Sequence, residues 1–305
     1  MIAGLRRRAG EWLFAPQPIE RLELVRILAP LAILGFLSSR IGHADAWLST
    51  SAFHPPALID DWRQPASLPP LQPWAAWSVA IGLALAGLAV CVGFATRWAT
   101  AVFAVLMIYT SLADRLEAFT VSKLGSVIAV ALAFMPCGAR YSVDAWRKRR
   151  RVRGWVAPEL CSGGNVRFFQ ILAPVFYFSS GICKATGDWL TNPHVLFTHL
   201  HDSYQTPVSW LAANTVPAFA WTVLQASVLA FEVGAPLWFG VRRLRPFALA
   251  YGIAMHAMIG LMFGPVAWFA LLMIAILVAS YAPATWLPRV CAWISRARPS
   301  PTSRP

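Results

Sequence analysis

The sequence has few charges. Asp, Glu, Lys and Arg make up 13% of the 305 residues, whereas 58% are hydrophobic and mean hydropathy is +0.56. A soluble domain carries about 25% charged residues, so this chain cannot cover a water-facing surface, and soluble and disordered classes are excluded. Acidic residues are the scarcer sign, 13 against 26 basic ones. The five cysteines, Cys91, Cys137, Cys161, Cys183 and Cys291, form no C-x-x-C pair. Their spacing fits no zinc site, and under the topology given below only Cys183 approaches the outer face, so a structural disulfide has no partner on the oxidising side. A Gly-rich phosphate loop, H-E-x-x-H and G-x-S-x-G are all missing, which removes the nucleotide, zincin and serine-hydrolase readings. Strand-type alternation is lacking too, which argues against a membrane barrel.

Long apolar runs are what the sequence does have. About 20 apolar residues cross a bilayer as a helix. Eight candidate spans follow, at 24–41, 74–95, 98–113, 122–136, 166–183, 216–241, 247–263 and 266–282. The expected fold is therefore all-α, a polytopic integral membrane helical bundle. Spans three and four are short enough to form one re-entrant hairpin instead. An even count puts both termini on one side, and the basic residues say which. Under this topology 19 Lys and Arg fall in segments assigned to the cytoplasm, among them Arg6–Arg8 and the run Arg147–Arg151. Only Arg63, Arg115 and Lys184 fall outside. That asymmetry predicts cytoplasmic termini, and a multi-pass protein of the cell membrane, the bacterial inner membrane by preference. The same placement argues against nucleic acid as a partner, because no soluble domain exists to present a basic groove.

The organisation expected is a basic cytoplasmic N-terminus (1–23), a transmembrane domain (19–282) and a disordered cytoplasmic tail (283–305). The first apolar run is too long for a signal-peptide core and lacks a small-residue cleavage site, so it stays in the mature chain. The outer loop 42–73 pairs prolines (Pro55-Pro56, Pro69-Pro70) with interface tryptophans (Trp62, Trp74). Ile-Leu-Ala-Pro recurs at 27–30 and 171–174, a weak internal echo.

Ionisable groups inside a bilayer cost about 2.5–3.5 kcal/mol at its centre, so each raises a functional question. Lys184 closes span five in Tyr177-Phe178-Ser179-Ser180-Gly181-Ile182-Cys183-Lys184-Ala185-Thr186-Gly187-Asp188-Trp189. It reads either as a lysine snorkelling to the outer boundary beside Trp189, or as an amine desolvated into a base, a role arginine cannot fill. Glu232 lies well within span six and must be protonated, paired or facing a cavity; its bland role is to glue helices. His256 sits in the middle of span seven, as a packing residue or a ligand. By rise per residue both lie near ~14 Å depth, which makes a Glu232–His256 hydrogen bond available. His256 then lies about 10 Å below Lys184, at the floor of an outward-opening cavity. His194, His199 and His201 in the following loop lack carboxylate or thiolate partners, so no metal is expected.

These residues resemble the HTTM family, the transmembrane domain shared with vitamin K-dependent gamma-carboxylase. The resemblance spans about residues 19–282 and rests on Arg26, on Pro136 to Trp146 with its Ser142-x-Asp144, on Tyr177 to Trp189, on Glu232 with Pro236, and on His256. It implies that Lys184 is the catalytic base, with His256 and Glu232 shaping the site. It also implies that Tyr177 and Trp189 contact a quinol-type lipophilic cofactor such as vitamin K hydroquinone. The carboxylase's Asn-His pair is replaced here by Phe119-Thr120-Val121-Ser122-Lys123, and only 23 residues follow span eight. Propeptide-directed carboxylation is therefore not expected. Two other readings stay open: a non-catalytic protein for maturation, export or immunity of a secreted peptide, and a transporter. Against the transporter, the spans show no paired Gly/Pro-broken helices in matching positions. Membrane lipids are expected partners under every reading.

Overall fold

The computed structural model describes residues 2–52, 68–113, 120–201, 205–283, 285–286 and 289. Pro55-Pro56, Trp62, Arg63, Arg115, Phe119, Cys291 and the expected disordered tail lie largely or wholly outside them.

The described chain is helical, as its composition requires. It opens with α1 (Ile2–Phe14), α2 (Glu20–Ile41), α3 (Asp45–Leu48), α4 (Pro73–Val92) and α5 (Thr96–Ala113). There follow α6 (Thr120–Ala133), α7 (Val143–Arg151), α8 (Gly163–Thr186), α9 (Val195–His199) and α10 (Pro207–Thr215). The last part comprises α11 (Ala218–Val233), α12 (Ala235–Gly240), α13 (Arg245–Met262), a 3₁₀ turn at Gly264–Val266 and α14 (Ala267–Tyr281). The sheet content is a two-residue antiparallel ribbon, β1 (Gln17–Pro18) against β2 (Leu160–Cys161). It ties the N-terminal segment to the start of α8.

The first helix inside the membrane, α2, is the axis of the bundle. It packs against α4, α6 and α14, while α8, α11, α12 and α13 assemble around α14 and one another. Its inward stripe is built of small and branched residues, Val25, Ala29, Ala32, Ile33 and Leu37, all buried. Small side chains let helices approach closely where lipid offers no hydrophobic drive for association. Large apolar side chains such as Leu85, Trp98, Val105, Phe134 and Phe247 face outward, as a lipid-facing surface requires. The Ile-Leu-Ala-Pro echo falls inside a helix both times, with Ala29 and Ala173 buried alike, whereas Pro30 is buried in α2 and Pro174 only partly buried in α8.

Among the described residues, five helices are long and apolar enough to span a membrane: α2, α4, α5, α8 and α14 with its 3₁₀ turn. A sixth is reached if α10 and α11 count as one span bent by 116°. The expected span at 122–136 is the 14-residue α6, about 21 Å long against a ~30 Å hydrocarbon core. The expected continuous span 216–241 is a correction. It divides into α11 and α12 around Gly234. Pro236 has no N–H to offer the carbonyl of Glu232, so the ladder stops there. Broken helices therefore do occur, although around one segment rather than at matching positions of two halves.

One end of the bundle is fastened by a fully buried arginine. Arg26 donates to Glu23 (2.9 Å) and to the α4 carbonyls of Val90 (2.6 Å) and Cys91 (2.8 Å). It also donates to the Tyr141 carbonyl (2.5 Å), and the second oxygen of Glu23 accepts from the Arg140 N–H (2.9 Å). Five donors in a planar fork let one side chain satisfy several orphan carbonyls at a helix end. Gly93, at φ +70°, ends α4 in the left-handed conformation and lies against Ser142. Asp144 completes the fastening by accepting from the Ala95 and Thr96 N–H groups and the Thr96 hydroxyl, so that it caps α5 from a distance. The segment Pro136–Trp146 and Arg26, more than a hundred residues apart in sequence, are thus one structural knot.

Candidate functional site

Three helices bring the membrane-embedded polar residues together. On α8, Tyr177, Gly181 and Lys184 fall at i, i+4 and i+7, which is one face of a helix. A Cβ on Gly181 would lie 2.7 Å from the Val233 nitrogen and 3.0 Å from the Glu232 Cβ. Only glycine allows the two backbones to come this close, and the approach carries the Lys184 side chain to Glu232. The result is an ion pair with Lys184 Nζ donating to Glu232 Oε1 at 2.5 Å. The lysine side chain is 25% exposed and the glutamate 7%, so the amine is neither free in solvent nor fully enclosed. Above it the Trp189 ring offers its face to the ammonium, 4.7 Å from nitrogen to centroid.

His256 has a different partner from the one expected. Its Nε2 hydrogen-bonds the Tyr177 hydroxyl at 2.7 Å, not Glu232. Equal depth on consecutive helices made the Glu232–His256 contact available, but Tyr177 stands beside the histidine and Lys184 claims the carboxylate. The Tyr177 ring is set edge-on to Phe231 (5.2 Å) and stacked on Phe239 (6.1 Å), which holds its hydroxyl on the imidazole. Two polar atoms of the cluster are buried without a partner among the described residues, Glu232 Oε2 and His256 Nδ1. Buried polar atoms are nearly always satisfied, so two orphans on residues that line one cavity mark a place built to meet something else.

The Lys184–Glu232 pair lines two cavities. One, of about 320 Å³, is walled by Trp189, Trp221, Met258, Met262 and Phe263. The other, of about 550 Å³, is walled by Phe36, Phe176, Tyr177 and His256. Met255, Ile259 and Phe269 line both. Such walls of flexible thioethers and flat rings suit an apolar ring system, with the few orphaned polar atoms left to orient it. Tyr177, Lys184, Trp189, Glu232 and His256, all named from sequence, therefore converge on one region. His199 lines the smaller cavity from an exposed position, while His201 turns away to the Phe197 carbonyl. Among the described residues no group of three His, Cys, Asp or Glu side chains could hold a metal.

Gln225 was not singled out from sequence. It is buried on α11, two turns before Glu232, and donates to the carbonyls of Trp189 (2.9 Å) and Asn192 (2.8 Å). Its side-chain oxygen accepts from the Leu196 N–H (3.0 Å). One amide thus fastens the loop that carries Trp189 onto α11. The signal was present: an uncharged polar side chain at i−7 from Glu232 in an otherwise apolar helix. Met255, Met258, Met262, Trp221 and Phe269 carried no such signal, because core residues look the same in sequence.

Searches of curated proteins and of solved structures each find no match to this chain. The HTTM domain, in contrast, matches it from residue 2 to residue 286, and the chain, a membrane protein by its apolar helices, belongs to the HTTM family.

Proposed function

We propose that this HTTM protein is a membrane enzyme in which Lys184 moves protons for a lipophilic, hydroxylated ring of the quinol class. The observation that carries the reading is the Lys184–Glu232 pair, set between two apolar cavities beside two orphaned polar atoms. A hydroquinone such as that of vitamin K supplies, when bound, an acidic hydroxyl and reducing equivalents. The residues present suit such a group, with apolar walls for the rings and Glu232 Oε2 and His256 Nδ1 for hydroxyls.

Within this reading the roles follow from geometry. Glu232 holds the amine in place and takes up its proton, which leaves the Lys184 lone pair free to accept another. Tyr177 holds the histidine ring by Nε2, which leaves Nδ1 without a partner among the described residues, and Trp189 closes over the ammonium. Walls of Met, Trp and Phe exclude water, which strengthens every charge interaction inside. The topology belongs to the same proposal: eight membrane-embedded segments in the cell membrane, α6, α11–α12 and α13 included, with both termini cytoplasmic and this site in the outer half. The charge asymmetry of the loops supports it. The segment boundaries 1–23, 19–282 and 283–305 are retained on the same footing, with α1 a folded part of the first.

A structural reading has its own support. The ion pair joins α8 to α11, a role that needs no substrate and that fits a non-catalytic protein for maturing or exporting a secreted peptide. Replacing both partners with apolar residues of similar size separates the two readings. Purified protein in detergent is titrated with a hydroquinone while Trp189 and Trp221 fluorescence is followed. The expected outcome is saturable quenching whose affinity falls about tenfold or more in the K184M/E232L double variant, one charge-assisted hydrogen bond having been lost. Absence of saturable quenching, or equal affinity in the folded double variant, discards the enzyme reading.

A further inference from the structure

At the end of the bundle carrying the basic clusters lies a third cavity, of about 880 Å³, which shares no lining residue with the two at Lys184. Four arginines line it: Arg21 of α2, Arg167 of α8, and Arg242 and Arg245 at the start of α13. No carboxylate is among its described lining residues. In a protein with twice as many basic as acidic residues the excess is ordinary, but its concentration around one cavity is not. Arg167 feels the charges of both Arg21 and Arg245, so the cluster repels itself as it stands.

Two further facts point to a missing anion. Arg21 is 6% exposed and spends Nη1 and Nη2 on the carbonyls of Ala279 in α14 (2.7 Å) and Ala282 just past it (2.5 Å), which leaves Nε buried without a partner among the described residues. Ser280, 1% exposed, lines the same cavity with its hydroxyl equally unpartnered among the described residues. The N-terminus of the 18-residue α13 adds the positive end of a helix dipole. Below this polar end the wall turns apolar, with Leu249 and Ile253, while Trp12 and Trp286 stand at the rim as interface residues do.

We propose that this cavity binds the phosphate of an anionic phospholipid, with guanidinium groups and the Ser280 hydroxyl on the headgroup and Leu249 and Ile253 along an acyl chain. Phosphate and guanidinium form charge-assisted, bidentate hydrogen bonds, the chemistry a self-repelling arginine cluster lacks. The apolar lower wall favours a lipid over a free phosphate compound, and basic pockets between helices are where membrane proteins hold such headgroups. The proposal is independent of any chemistry at Lys184.

The test uses the whole protein, delipidated in neutral detergent, and thermal unfolding against added lipid. Phosphatidylglycerol is expected to raise the melting temperature saturably, and phosphatidylcholine is not. R242Q, at an exposed side chain with no hydrogen bond among the described residues, and R167Q are each expected to weaken the phosphatidylglycerol effect about tenfold while leaving the lipid-free melting temperature unchanged in R242Q. Raised salt weakens it further. Equal effects of the two lipids, or an undiminished effect in both variants, overturns the proposal. So does a glycerol phosphate that stabilises as well as the lipid, since the source of the phosphate is then soluble.

Discussion

At the scale of single residues, the site is governed by what a buried charge requires. Glu232, 7% exposed, is tolerable in a membrane helix because Lys184 faces it at 2.5 Å. Removing one partner strands the other, and the expected cost of K184M is about 3–5 kcal/mol of stability, read as a lower detergent melting temperature. The K184M/E232L double variant is expected to recover most of that loss, because two apolar side chains meet where two charges did. A double variant as unstable as the single one means the pair does more for the fold than neutralise itself. The same reasoning explains why the pairing could not be read beforehand. Position in sequence gives depth along a helix, but which neighbour reaches a carboxylate depends on how closely two backbones approach, and that was set by the missing side chain of Gly181.

At the scale of elements, helix ends decide the arrangement. Burial by itself pushes the Asp144 carboxyl up, but hydrogen bonds from Thr96 and Ala95, helped by the charge of Arg147, outweigh it and hold the group below its ordinary value. A carboxyl lowered by folding contributes stability that is complete above pH ~4, its unfolded range, and is lost as pH falls through the folded value. Wild-type protein is therefore expected to lose melting temperature below pH ~4 more steeply than D144N, which lacks this titration. Parallel slopes remove Asp144 from the account. At neutral pH, D144A costs about 1 kcal/mol, the size of a lost helix cap. The α8–α11 contact gives a second prediction. G181V places a branched side chain where the Val233 nitrogen and Glu232 Cβ leave no room, so the helices part and the Lys184–Glu232 bond stretches. Hydroquinone binding in G181V is expected to fall together with stability, whereas a variant on the outer face of α8, such as V175A, changes neither beyond about 0.5 kcal/mol.

At the scale of the whole molecule, the proposed orientation rests on the distribution of charge among the loops. Single cysteines introduced at exposed positions in a cysteine-free background test it: Asn192 in the loop after α8, and Arg149 in the basic helix α7. A membrane-impermeant maleimide applied to intact cells is expected to label N192C, and to label R149C only after the membrane is opened. The reverse pattern inverts the topology and moves the Lys184 site to the cytoplasmic half.

Composition alone determined that this chain lives in a bilayer as helices, since a backbone in hydrocarbon must satisfy its own hydrogen bonds and so few charges can serve no other surface. Residue type was also enough to single out Lys184, Glu232 and His256, because a polar group in an apolar run is costly wherever it ends up; Tyr177 and a cofactor contact for Trp189 rest on the family resemblance. Tertiary structure decided who pairs with whom: Lys184 with Glu232, Tyr177 with His256, Arg26 with the carbonyls ending α4, and Gln225 with the loop of Trp189. It also divided one expected span at Gly234 and gathered four arginines, from three helices and the turn before α13, around a single cavity. The reason is one of range. Burial cost and helix formation act within a few residues of the chain, whereas pairing depends on distances between helices that no local stretch encodes.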